Sequence, residues 1–190
     1  MTKVKKFILI FALFAVFYYA IGTTYSAPTQ KTVTLQTEDA ELSLEQPSRG
    51  EFSEVFHTNK MKKQKLFTSG NSLYSIDTET ALSPQNKYAQ LNKITLGSTS
   101  QSTDEEEYER ADCAFIEMST GCIVRIETGS FCGGEWSEKD DLWKFSGYES
   151  NIDILNESSL SISEKSNLLL EWDGEDNLSR CGLFKNKHGN

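Results

Sequence analysis

A chain of 190 residues with 37% hydrophobic and 11% aromatic side chains has room for one domain of ordinary size, or one domain plus a tail. It is too short for a full propeller or barrel enzyme, and its mean hydropathy of −0.47 excludes a multi-span membrane protein. With 12 Gly and 3 Pro it is neither collagen-like nor a Pro-rich linker, and 28 acidic against 19 basic side chains give a net charge of −9.

Lys3, Lys5 and Lys6 precede an uncharged run of 15 apolar or aromatic residues from Phe7 to Ile21, the layout of a signal peptide. The run is shorter than the ~20 residues a helix needs to cross a bilayer, although Gly22 to Ala27 adds no charge and extends it. Residues 1–27 therefore read as a signal peptide, or as an uncleaved signal anchor. Ala20-Ile21-Gly22 and Thr24-Tyr25-Ser26 both offer small residues where a signal peptidase reads them. No cysteine precedes Cys113, which excludes a lipoprotein anchor. Either outcome places the rest of the chain outside the cytoplasm, periplasmic or secreted, or held at the inner membrane with the domain outside.

Without that segment's three lysines, 16 basic groups face 28 acidic ones, a net of −12. Such a domain repels phosphate backbones and anionic headgroups, so nucleic acid is excluded as a partner and membrane contact is confined to the N-terminal segment, if retained. A basic protein is the complementary partner.

Residues 28–61 are polar and acidic, with short alternation at Thr32 to Leu35 and Glu41 to Leu44. They read as a tether with one edge strand ending in Phe52 to Phe56. Lys60, Lys62, Lys63 and Lys65 form a basic cluster, read as a hairpin end or solvated loop, or else as a docking patch for the acidic run downstream. Residues 62–190 read as an exported, disulfide-containing β domain. Leu66-Phe67, Ser69-Gly70-Asn71 and Leu73 to Ile76 predict strand, tight turn, strand. Leu82-Ser83-Pro84-Gln85-Asn86-Lys87-Tyr88 predicts a turn with Asn86 left-handed, feeding a strand from Tyr88 to about Leu96.

Gly97 to Thr103 reads as a loop, leading into Asp104, Glu105, Glu106 and Glu107, with Tyr108 and Glu109 following. Adjacent carboxylates repel one another unless they face water or a cationic partner. Tyr108 framed by them is a candidate protein-binding anchor, because a Tyr supplies contact area at low entropy cost.

Asp112 to Thr128 predicts a hairpin. With Ser119-Thr120-Gly121 as a three-residue loop and Met118 opposite Cys122, Ile116 faces Val124 and Ala114 faces Ile126 on an apolar side. Phe115 with Arg125 and Cys113 with Glu127 then share the other side, and a one-residue slip destroys the separation. Together with the Ser83-Pro84-Gln85-Asn86-Lys87 turn, the Glu117-Met118-Ser119-Thr120-Gly121 hairpin resembles one blade of a TolB-like β-propeller. That resemblance, confined to residues 82–129, implies an antiparallel meander and a protein-binding role, and carries over no catalytic residue.

Four cysteines in an exported domain predict two disulfides. Cys122 lies beside the turn and Cys113 at the open end, about 13 Å away at ~3.3 Å per residue, too far for a bridge. Cys132 leaves the same open end as Cys113. The expected pairs are therefore Cys113 with Cys132 and Cys122 with Cys181.

The C-terminal third predicts further strands at Leu142 to Phe145, Ile152 to Ile154, Leu160 to Ile162 and Leu168 to Trp172, with no apolar helical stripe. The fold class is all-β: a small antiparallel meander, sandwich or partial barrel. His57 and His188 stand in polar contexts, and no nucleophile, phosphate or zinc-protease motif occurs, so neither catalytic residues nor a cofactor or metal are expected. Gly133-Gly134-Glu135-Trp136 reads as a packed Trp after a turn rather than a sugar subsite. Asp173 to Asn177 clusters oxygens without the spacing of a calcium loop, and Asn156 and Asn177 head glycosylation sequons. Three functions follow: a non-enzymatic inhibitor or immunity protein against a basic toxin or cell-wall hydrolase, an anchored envelope structural or assembly protein, and a small hydrolase with an unrecognised site.

Overall fold

The computed structural model describes residues 32–60, 62–68, 70–99, 106–145 and 162–183. The signal or anchor segment, Asp104 and Glu105, the strand expected at Ile152 to Ile154, Asn156 and His188 lie outside the described residues. Eight antiparallel strands make one sheet: β1 (Val33–Gln36), β2 (Ala40–Ser48), β3 (Glu51–Asn59), β4 (Lys62–Leu66), β5 (Ser72–Ser75), β6 (Tyr88–Thr99), β7 (Glu106–Glu117) and β8 (Ile123–Thr128). The order is β1-β2-β3-β5-β6-β7-β8, with β4 also on β3. The sheet is open. A two-stranded ribbon, β9 (Glu135–Trp136) with β10 (Trp143–Lys144), packs outside it, and a helix, α1 (Ile162–Arg180), follows.

The stretch read as a tether supplies three of these strands. Leu42, Leu44 and Val55 are fully buried, because the short alternations set their apolar positions on one face. β3 is a central strand and not an edge, for it pairs β2 on one side and β4, then β5, on the other. The expected hairpin across Ser69 to Asn71 is likewise replaced. β4 and β5 lie end to end along β3 and do not pair with each other, since Val55 takes Leu66 and Phe52 takes Tyr74. The lysine cluster is the β3–β4 hairpin. Three of its members pair with Asp39, Glu45 and Glu54, at 2.6, 2.5 and 2.7 Å, so its charge is met by the neighbouring strands.

The β7–β8 hairpin keeps the expected register at its open end, with Phe115 opposite Arg125, Ala114 opposite Ile126 and Cys113 opposite Glu127. At the turn it differs. The Glu117 amide donates to Cys122 O, the loop runs from Met118 to Gly121, and Ile116 faces Ile123. A bulge at Val124 absorbs the one-residue difference, so Ile123 enters the main core and Val124 packs on the opposite face. Gly121 takes φ +74°, as the turn demands, and a Cβ there would stand 2.7 Å from the His57 ring.

Two clusters stabilise the sheet. One face buries Leu42, Leu44, Val55, Leu66, Leu91, Ala114 and Ile116. On the other, Phe115 meets Phe131, Trp136 and Trp143 edge-on at 5.8, 5.9 and 5.0 Å. Trp136 is thus a packed residue. Such pairs add roughly 0.5–1.5 kcal/mol each beyond burial.

The last third departs from the expected sheet: the strand read at Leu168 to Trp172 is helix instead, and of the one read at Leu160 to Ile162 only Ile162 lies within the described residues, where it begins the same helix. Ile162–Arg180 is helical, with a break at Asp173 and Gly174. No apolar stripe announced it because the buried positions at helical spacing, Asp173, Asn177 and Leu169, are mostly polar, and they are satisfied by tertiary hydrogen bonds.

Candidate functional site

β6 and β7 stay in register for twelve pairs, from Tyr88 opposite Glu117 to Thr99 opposite Glu106. Their neighbours end sooner. β5 reaches Thr95 and hands over to Asn71 O, which accepts the Leu96 amide at 2.9 Å, and β8 stops at Asp112. Beyond these points the pairs Gly97–Tyr108, Ser98–Glu107 and Thr99–Glu106 form a two-stranded arm with no strand on either side among the described residues.

A free two-stranded ribbon is marginal in water. This one is fixed at its base. Lys93 stands opposite Asp112, whose buried carboxylate also takes Arg110 at 3.1 Å. Burial pulls the Lys93 ammonium below its usual value, and Asp112, 3.7 Å away, opposes that shift. Further out, the Tyr108 ring lies across Gly97, where a Cβ would come within 2.3 Å of the ring. An aromatic covering a cross-strand glycine holds the register of an edge. Tyr108 is nonetheless 48% exposed.

The acidic run was expected in a loop. Glu106, Glu107, Tyr108 and Glu109 instead belong to β7. The reason is physical: a strand sends successive residues to opposite faces, so extending the ladder separates like charges that a loop would leave side by side. Exposed Tyr108 lies on the arm and exposed Glu109 at its root, opposite Leu96.

Both disulfides form as the hairpin geometry requires, Cys113 with Cys132 and Cys122 with Cys181, at Cα separations of 5.4 and 4.9 Å. They are bonds of a chain matured in an oxidising compartment. Cys122–Cys181 pins α1 to the start of β8. Around it lies a polar cluster with no signature in the apolar pattern. Asp173 accepts from the Thr68 amide at 2.7 Å and hydroxyl at 3.0 Å, and from Arg180 at 2.5 Å, while Arg180 also donates to Gly121 O. The readable signal was the spacing of Asp173, Asn177 and Arg180, four and then three apart, one face of a helix.

His57, for all its polar sequence context, is a fully buried member of β3. Its Nε2 meets Met118 O at 2.7 Å, and its Nδ1 lies 3.4 Å from the Gln64 amide nitrogen. Burial holds its pKa below 6.5, and the nearby Arg180 charge adds to that. The Asp173 to Asn177 stretch does not open as a calcium loop, because Asp173 and Asn177 point inward and are bonded. Asn177 is fully buried, so the sequon it heads is closed in the folded chain. Among the described residues no three His, Cys, Asp or Glu side chains converge as a metal site, and no helix is long and apolar enough to cross a membrane. Comparison of the chain with protein families, with characterised proteins and with solved structures returns no match.

Proposed function

We propose that this chain is an exported, non-enzymatic binding module that grips a basic protein with the β6–β7 arm, as an inhibitor or immunity protein grips a toxin or cell-wall hydrolase. One observation carries the reading: Tyr108, the most exposed large apolar side chain described, sits on a projecting ribbon beside a run of carboxylates. The domain's net charge supports it, since a field of that sign speeds encounter with a cationic target, while the aromatic slows its departure. The resemblance to a propeller blade over residues 82–129 points to protein binding as well. Periplasmic or secreted release is the proposed location, and a mature N-terminus near Thr23 or Ala27 distinguishes it from an anchored envelope protein.

The test is affinity capture of a stoichiometric partner from envelope extract, followed by association kinetics against salt. Exchanging Glu105, Glu106 and Glu107 for Gln should slow association and flatten its salt dependence. Unchanged kinetics at low salt would overturn the mechanism.

A further inference from the structure

The β6–β7 arm offers a partner its backbone as well as its aromatic. The Leu96 amide donates to Asn71 O, away from β7, so Leu96 and its partner Glu109 form a pair without mutual hydrogen bonds. The Glu109 N–H and C=O therefore point outward from β6. By the two-residue period of a strand, Ala111 and Glu107 direct theirs the same way. Cys113 and Phe115 share this parity, and they stand opposite Glu127 and Arg125 of β8.

β8 does not continue along that edge. It stops at Thr128, opposite Asp112, where Gly129 at φ +65° turns the chain into the 3-10 turn Gly129–Gly133. A Cβ on Gly129 would meet nothing within 4 Å, and Gly129 and Ala111 border an open hollow of about 360 Å³. Ala111, Glu109 and Glu107 thus present a row of backbone donors and acceptors with no strand against it among the described residues.

Such an edge takes an added strand, the main chain supplying affinity and alternate side chains the selectivity. Charge decides which strand. Glu109 is exposed and has no ion pair among the described residues, and Glu106 and Glu107 add two more carboxylates to the edge strand. Arg110, the one base in β7, is held by Asp112 at 3.1 Å. A second copy pairing antiparallel about Glu109 would set Glu109 against Glu109, and like charges directly opposite destabilise a ladder. The lysines of β4 are no substitute, since Lys63 and Lys65 are already paired with Glu45 and Glu54. A strand with Lys or Arg at alternate positions meets both the open backbone and the acidic side chains.

We infer that the outer edge of β7, from Ala111 to Glu107, receives an extended basic segment of the partner protein as an added strand in line with β8. The inference rests on the proposed function for the partner and deepens it, adding a main-chain grip to the Tyr108 anchor.

The experiment follows amide hydrogen exchange by NMR in the full chain, with an acetylated octapeptide of alternating Lys and Thr as the probe. The amides of Glu107, Glu109 and Ala111 should exchange fast in the free protein and slow at least tenfold, saturably, when the peptide is added. The matching Glu-Thr octapeptide should not slow them, nor should spermine, which has the charge without the backbone. Glu109→Ala should weaken the peptide a few-fold, and Glu109→Pro at least tenfold more, because proline also removes the outward donor. The Tyr108 and Arg110 amides, which face β6, should stay protected in both variants and show that the arm is intact. Slow exchange in the free chain, protection that rises with protein concentration alone, no protection by the Lys-Thr peptide, or equal losses in the two variants would each overturn the inference. Failure here is separable from failure of the proposed function. A captured partner weakened by Tyr108→Ala but not by Glu109→Pro leaves the arm and removes the added strand, whereas peptide protection without any captured partner does the reverse.

Discussion

The carboxamide of Asn177 pairs with the outer edge of β8 at Ile123, accepting its amide at 2.8 Å and donating to its carbonyl at 3.1 Å. Ile123 stands opposite Ile116 next to the bonded pair Glu117–Cys122, so its own N–H and C=O point away from β7. One side chain thereby acts as a missing strand, and a third bond, to Leu169 O, ties the pairing to α1. Asn177→Ala should leave three buried backbone groups short of a partner and cost about 2–4 kcal/mol in urea unfolding. A loss below about 0.5 kcal/mol would show that the helix does not cap this edge.

The two disulfides should differ in what they hold. In the chain-entropy account, closing the 59-residue span of Cys122–Cys181 contributes about 4 kcal/mol and the 19-residue span of Cys113–Cys132 about 3. Replacing Cys122 and Cys181 together by Ala should raise amide exchange first in α1, with β6 and β7 still protected. Non-reducing peptide mapping of the native chain should return these two links, and a Cys113–Cys122 peptide would refute the hairpin.

His57 makes stability depend on pH in a defined direction. Its pKa is lowered in the fold, so between that value and 6.5 the unfolded chain holds a proton that the folded chain refuses. The contribution is complete above about pH 6.5 and is lost as pH falls below it. Unfolding free energy measured from pH 8 to 5 should decline through this window in the native chain and stay flatter there in His57→Asn. Parallel curves would contradict the placement.

The bulge at Val124 separates two neighbours that alternation alone treats wrongly. Ile123→Ala should cost about 2–4 kcal/mol, as for a fully buried aliphatic residue, and Val124→Ala distinctly less. Ile116→Asp should cost several kcal/mol, because it buries an unpaired charge, whereas Glu117→Ala gives up a hydrogen bond from Thr120, worth about 1 kcal/mol. Equal effects at Ile116 and Glu117 would mean that the faces are exchanged.

On the arm, Gly97→Val should displace the Tyr108 ring, since the added Cβ falls within the ring's present volume. The expected result is faster dissociation from the captured partner, resembling Tyr108→Ala, with thermal stability within a few degrees of the parent. If Gly97→Val binds normally, the seated ring is not the anchor.

Much of the central meander was legible in the chain. Alternation from Tyr88 to Leu96 and from Cys113 to Glu127, with Asn86 and Gly121 at the positions of positive φ, depends only on near neighbours, and both conformations are present, at +57° and +74°. The disulfide connectivity followed from that register by distance. Of the candidate site, the sequence marked Tyr108 and the carboxylates but put them in a loop, because where a ladder ends depends on what pairs across it.

What the sequence determined by itself is therefore local: which residues extend, where the backbone turns left-handed, and which thiols come within reach. The tertiary structure alone decided that β3 is central, that β4 and β5 share its edge, that Val124 bulges, and that a polar stripe of Asp173, Asn177 and Arg180 makes a helix. Each of these rests on hydrogen bonds between groups far apart in the chain, such as Asn177 with Ile123 and Asp173 with Thr68, separated by 54 and 105 residues. Polar side chains gain their place in a core only when such a partner is brought to them, and no local pattern of hydrophobicity records that.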